Sequence, residues 1–194
     1  MKTKLFGILL MIITLTSCVS FVDATRKEPI KSDPGIRTFG NFIDDNAIET
    51  VACVNIRKAH TDLRAAHVSC VSFNGVVLLV GQVKNDEQRK LATTVAEKVK
   101  EVRQVHNELT LGGPISLPAR SNDTWLTSKV KTKLLADREI PGNRIKVVTE
   151  NGVVYLMGLL TNSEADRAVT VARNTAGVQK VVRVFEYIPS NQPR

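Results

Sequence analysis

The sequence is short of the residues that do chemistry. Its 194 residues include three histidines, three cysteines and one tryptophan, and aromatic side chains make up only 5%. It has no Cys-x-x-Cys pair and no His pair at helical spacing, so nothing points to a metal site. Nucleophile-elbow and Gly-rich phosphate-loop patterns are missing too, which argues against hydrolase and nucleotide chemistry. The chain is therefore expected to be no enzyme and to need no cofactor. Long apolar runs are scarce as well. The run "LFGILLMIITLT" has twelve residues, too few to span a bilayer comfortably, which takes ~20.

That run has a different meaning. Lys2 and Lys4 precede it and "LTSC" closes it at Leu15–Cys18. A basic start, an apolar middle and small residues before a cut make a secretory signal. "LTSC" also resembles a bacterial lipobox, which implies cleavage after residue 17 and acylation of Cys18. An ordinary signal with a chance cysteine is the alternative. Several acyl chains, at ~0.8 kcal/mol per buried methylene, anchor stably where one chain is marginal. Val19 follows the cysteine where an aspartate would favour inner-membrane retention, so the outer membrane is expected. Export also argues against nucleic acid as a partner.

Charge is uneven. Residues 41–111 hold nine basic and nine acidic side chains, whereas residues 121–185 hold ten and six. The second half suits an anionic partner.

The same ten-residue pattern occurs twice, "NGVVLLVGQV" from Asn74 and "NGVVYLMGLL" from Asn151. Ungapped alignment on the Asn-Gly pairs lays "DDNAIET" on "SNDTWLT", placing Ile48 over Trp125, Cys53 over Val130 and Cys70 over Val147. Each copy predicts a helix (44–58, 123–136), an alternating strand, a second strand (76–83, 153–160), a second helix and a last strand (104–111, 180–187). Asn122 or Asp123 is the expected cap of the helix opening copy two. Gly75 and Gly152 complete Asn-Gly turns, where both residues need positive φ. Gly81 and Gly158 lie inside strands, which signals a bulge or a close backbone approach. A clash with the overlying helix is the expected result of a side chain at either.

This α-β-β-α-β unit, repeated, resembles the BON domain. The Asn-Gly strands with Gly81 and Gly158 carry the resemblance, and so does "V-x-x-V-x-N" at Val102, Val105 and Asn107; copy two has Arg183 in place of that asparagine. The expected fold is α+β, two small three-stranded mixed sheets each packed on two helices. The division is signal peptide 1–17, lipidated N-terminus and flexible tether 18–40, first domain 41–111, linker 112–120, second domain 121–187 and tail 188–194. BON domains are generally regarded as phospholipid-binding, so the resemblance implies an anionic partner such as phosphatidylglycerol or cardiolipin. It also implies a periplasmic-face outer-membrane lipoprotein that supports envelope integrity, with division sites as one place of action. A protein-interaction module that docks an envelope-assembly or peptidoglycan-remodelling factor is the rival.

The candidate lipid face is "DTWLTSKVKTKLLAD", which has three lysines and no acid between Thr124 and Ala136. On a helical wheel Leu126, Val130 and Leu134 form one stripe, with Trp125 and the lysines beside it. The residues assigned to phospholipid are Trp125, Lys129, Val130, Lys133 and Leu135. A tryptophan edging a basic helix is an interfacial arrangement; the alternative buries Trp125 between the domains. Cys53 and Cys70 are either two small core residues or a disulfide, which an oxidising compartment permits.

Overall fold

The computed structural model describes residues 35–190. The signal sequence, Cys18 and most of the tether lie outside the described residues.

Two copies of one unit follow each other. The first comprises α1 (Phe39–Ala59), α2 (Thr61–Ala65), β1 (His67–Phe73), β2 (Val76–Val83), α3 (Asp86–Glu97), β3 (Gln104–Asn107) and β4 (Thr110–Leu111). The second comprises α4 (Leu117–Ala136), a 3-10 turn at Gly142–Arg144, β5 (Ile145–Glu150), β6 (Val153–Leu160), α5 (Asn162–Arg173) and β7 (Lys180–Tyr187). In each copy the first two strands form an antiparallel hairpin, and the last strand returns parallel to the second. Both sheets are therefore mixed, as expected, with β2 or β6 in the middle.

The repeated pattern has a physical cause. Alternate residues of β2, Val77 and Leu79, join Ile48, Ala52, Ile56 and Ala92 in a core under the helices. The other set, Val76, Leu78 and Val80, meets Tyr155, Met157 and Val184 of the second copy. In β6, Val154, Leu156 and Leu160 face Leu126, Val130 and Leu134. The two sheets thus pack face to face, with helices on both outer sides. A central strand covered on both faces loses the apolar–polar alternation of a half-exposed strand. All eight residues of β2 are buried. This is why "VVLLV" and "VVYLM" read as nearly continuous apolar runs.

Polar bonds flank the joint. Lys146 Nζ reaches Glu49 at 2.5 Å and the Ser72 carbonyl at 3.1 Å. Gln82 donates to Glu150 at 2.7 Å, and Asn74 to Glu186 at 2.8 Å. Arg103 pairs with the same Glu186. Tyr155, inside the joint, has its phenol pushed up to about 12 by burial and by the charges of Glu108 and Glu150.

The structure departs from the sequence expectations at the helix starts. α1 begins at Phe39 and α4 at Leu117, so most of the expected linker's last residues are helical. Ser116 is the N-cap of α4, accepting from the Ala119 amide, with Pro118 in the first turn. Asn122 and Asp123 therefore lie inside the helix, and neither caps it. Asp123 has another task. Its buried carboxylate accepts the Asn151 and Gly152 amides at 2.7 and 2.8 Å. Asp45 does the same for Asn74 and Gly75 at 2.8 and 2.9 Å, and also holds Ser72 Oγ. Each helix thus clamps the tight turn of its own hairpin. Asn74 and Asn151 have φ of 54° and 48°, and the glycines that follow 75° and 74°.

Matching Asp45 to Asp123 corrects the alignment. Copy one has one more residue between clamp and turn, so Ile48 corresponds to Leu126, and Ala47 to Trp125. Cys53 then corresponds to Lys131 rather than Val130. Ungapped comparison slipped by one residue because the length difference falls in the helix–strand connection, far from the Asn-Gly anchor.

Gly81 and Gly158 are close-approach positions, and the neighbour is backbone at the entry to the hairpin's first strand rather than the overlying helix. A Cβ at Gly81 (φ 123°) would collide with the His67 carbonyl oxygen, and one at Gly158 would lie 2.8 Å from that of Arg144. At Gly81 the first residue of β1 forbids the side chain, and at Gly158 the last residue of the 3-10 turn before β5 does. Cys53 and Cys70 are joined, with Cα atoms 5.7 Å apart. The bond ties α1 to β1.

The last strand of copy one is shorter than expected. Asn107 interrupts it by donating to Arg89 O and Thr93 Oγ1 while accepting from the Leu109 amide. Arg183 in copy two instead pairs with Asp166 at 2.7 Å, and β7 runs unbroken.

Candidate functional site

α4 presents its candidate face because its opposite stripe is committed to the core. Leu126, Val130 and Leu134, spaced by four, are at most 1% exposed. Val130 is therefore corrected: it packs under β5 and β6 and cannot touch lipid. Trp125, one position before Leu126, turns about 100° away and is 59% exposed. It takes no part in the cluster between the sheets, so the interdomain reading of this residue fails. Leu135 is 55% exposed, on the flank opposite the lysines.

The lysines divide. Lys129 Nζ lies 4.4 Å from the centroid of the Trp125 ring and donates to the Ala176 carbonyl at 3.0 Å. Lys133 Nζ reaches the Asn174 carbonyl at 3.4 Å. These carbonyls follow the C-terminus of α5, where unsatisfied backbone oxygens favour cations. Both ammonium groups are thereby held at the surface on the side of α4 that faces the end of α5, and Lys129 lies over the indole. Lys131 turns to the other side, donating to Gly142 O and Ile145 O at 2.8 and 2.5 Å. Burial holds its ammonium below the ordinary lysine pKa. The basic helix therefore offers two surface lysines, and the third fastens α4 to β5.

Copy one offers no such face. Ala47 stands where Trp125 does and Val51 where Lys129 does. Glu49 is engaged with Lys146, and Asp45 with its turn. Among the described residues no helix is long and apolar enough to cross a membrane, and no group of three His, Cys, Asp or Glu is placed to hold a metal ion.

Two packed α-β-β-α-β units, one of them with a tryptophan-and-lysine helix edge, define the class: a duplicated small α+β domain. The family pattern described as "BON domain" matches twice, at residues 44–113 and 122–189, and the chain belongs to the BON-domain family. It is 38% identical to the outer membrane lipoprotein DolP of Haemophilus influenzae over 91% of both chains. It is also 37% identical to the 21 kDa hemolysin of Actinobacillus pleuropneumoniae, over 78% of each. Identity to the osmotically-inducible protein Y of Escherichia coli is 34%, over 78% of this chain and 76% of that one.

Proposed function

We propose that this protein is a non-enzymatic lipoprotein, anchored through Cys18 to the periplasmic face of the outer membrane. Its second domain binds anionic phospholipid such as phosphatidylglycerol or cardiolipin, in support of envelope integrity. The observation that carries the reading is Trp125, left 59% exposed with Lys129 stacked on its ring. An indole at headgroup depth with lysines meeting phosphates is a favourable interfacial arrangement. Two surface lysines add about 2 kcal/mol near an anionic membrane, which suffices once an anchor has raised the local concentration. Kinship with a protein named outer membrane lipoprotein supports the location.

The test is vesicle co-sedimentation of the secreted chain with Cys18→Ser. Binding should require anionic lipid and fall with salt, because surface charges are screened beyond ~10 Å at 0.1 M. Equal binding to zwitterionic vesicles, or none to either, refutes the proposal.

A further inference from the structure

α1 is apolar on two sides. Ile48, Ala52 and Ile56 face the core and are at most 3% exposed. At about 100° per residue, Phe39, Ile43, Ala47, Val51 and Val54 fall on the opposite side. Phe39 is 78% exposed, Ile43 52%, Val51 43% and Val54 40%. Ala47 completes the row and is exposed. The stripe is about 22 Å long at 1.5 Å per residue. Such a row on a soluble helix, spaced by four and three, matches the seam of a helix pair.

Its ends carry opposite charge. A hollow of about 430 Å³ beside Ala47 and Val51 is rimmed by Asp44 and Glu101. A second, of about 400 Å³, lies beside Val54 among Arg57, Lys58 and Arg64. Lys100 pairs with Glu101. None of Asp44, Arg57, Lys58 and Arg64 has an ion-pair partner among the described residues. A matching surface needs an apolar row with the charges in reverse order. α1 turned end for end supplies it.

We propose that two copies of this chain pair through α1, antiparallel about a two-fold axis. Val51 of the two copies meet at the axis, and Ala47, beside Val54 of the other copy, lets the helices approach closely. In this register Asp44 lies opposite Lys58 of the other copy, and Ile43 lies over the last turn of its α1. The contact is isologous and closes at two copies. α1 and α4 occupy opposite outer layers of the molecule, so pairing leaves Trp125 uncovered, and lipid binding can be measured independently.

The experiment is sedimentation equilibrium of the secreted Cys18→Ser chain from about 1 to about 500 µM, a range that covers the weak association expected of a single-helix interface. A monomer–dimer equilibrium is expected. Val51→Lys and Ile43→Lys, both at exposed positions, should weaken it at least tenfold with unchanged circular dichroism and melting. Asp44→Lys should weaken it, as should Arg57→Glu with Lys58→Glu; combining the three changes should restore it. A monomer throughout the range overturns the proposal. So does a dimer that ignores the α1 substitutions, or one abolished by Trp125→Glu, since the contact would then lie on α4.

Discussion

The clamp on the first hairpin gives the sharpest prediction. Asp45 is 2% exposed and receives four groups: Ser72 Oγ at 2.7 Å, the Asn74 and Gly75 amides at 2.8 and 2.9 Å, and Arg37 at 2.6 Å. Truncation to alanine strands them. An unsatisfied buried donor costs about 1–3 kcal/mol. The Gly75 amide and Ser72 hydroxyl are buried, while water can reach part of Asn74, so Asp45→Ala should cost about 3–5 kcal/mol. That is a large share of the ~5–15 kcal/mol of a whole domain. The copies share a packed joint, so they should unfold together, and the melting temperature should fall by about 6–20 °C at roughly 2–4 °C per kcal/mol. Burial raises the Asp45 pKa, but the bonds from Gly75, Ser72, Asn74 and Arg37 outweigh it and hold the group below 3.8. The folded pKa is depressed, so the carboxylate's contribution is fully present above pH 3.8 and is lost as pH falls through the folded value. Asp45→Asn should therefore lose stability at neutral pH and converge with the unmodified chain in acid. Urea titration at several pH values reads both effects. A loss under about 1 kcal/mol for Asp45→Ala, against this expected cost, refutes the clamp. So does an equal loss for Asn46→Ala, whose side chain only reaches Phe42 O on the surface.

Gly81→Ala should destabilise more than Gly158→Ala, because only Gly81 combines positive φ with the closer backbone collision; equal melting curves would deny the difference. Opening Cys53–Cys70, which encloses a separation of 17 residues, should cost about 2–4 kcal/mol, read by urea titration of the Cys53→Ser, Cys70→Ser chain. Ile48→Glu buries a charge in the first core and, through the shared joint, should unfold both copies, visible as lost circular dichroism and rapid proteolysis. Trp125→Glu should abolish vesicle binding with an unchanged melting curve; retained binding would place the lipid site elsewhere.

The duplication and both central strands were legible because a strand covered on two faces writes an unbroken apolar run, and Asn-Gly marks its start. β2 and β6 fall at the expected residues. Helix starts were less legible. Phe39 and Leu117 stand in solvent-facing first turns that add nothing to the buried stripes of Ile48 and Leu126, and the prolines at 114 and 118 read as linker until Ser116 is seen to cap. The turn clamps were invisible for a different reason. An aspartate inside a helix is ordinarily a surface residue, and only three-dimensional proximity to the hairpin shows why Asp45 and Asp123 are buried. On the candidate site, the wheel separated Trp125 from the Leu126 stripe correctly. It could not show that Lys131 turns inward, because lysine's long stem lets its charge leave the direction its Cα sets.

How the copies diverged follows from corresponding positions. Cys53 and Lys131 stand at equivalent places, and each fastens its helix to the strand beneath. Cys53 does so through the bond to Cys70, and Lys131 through the Ile145 carbonyl. Nearly two turns earlier lie Ala47 and Trp125, which contribute little to either core. The helix–strand tie was thus kept by different chemistry, while the outward residue was free to change. In copy two it is a tryptophan with Lys129 on its ring, and Lys129 and Lys133 are both held by carbonyls after α5. In copy one it is an alanine within an exposed apolar row. The shared fold holds each helix in place, and residues outside the core decide what it meets. The lipid face proposed on α4 and the pairing face proposed on α1 therefore use positions outside the core and leave each sheet unaltered. The test of that separation is the exchange Ala47→Trp: it should leave the melting temperature within about 2 °C, the shift a surface change under ~0.5 kcal/mol produces, and weaken self-association. A large loss of stability would show that position 47 belongs to the core after all.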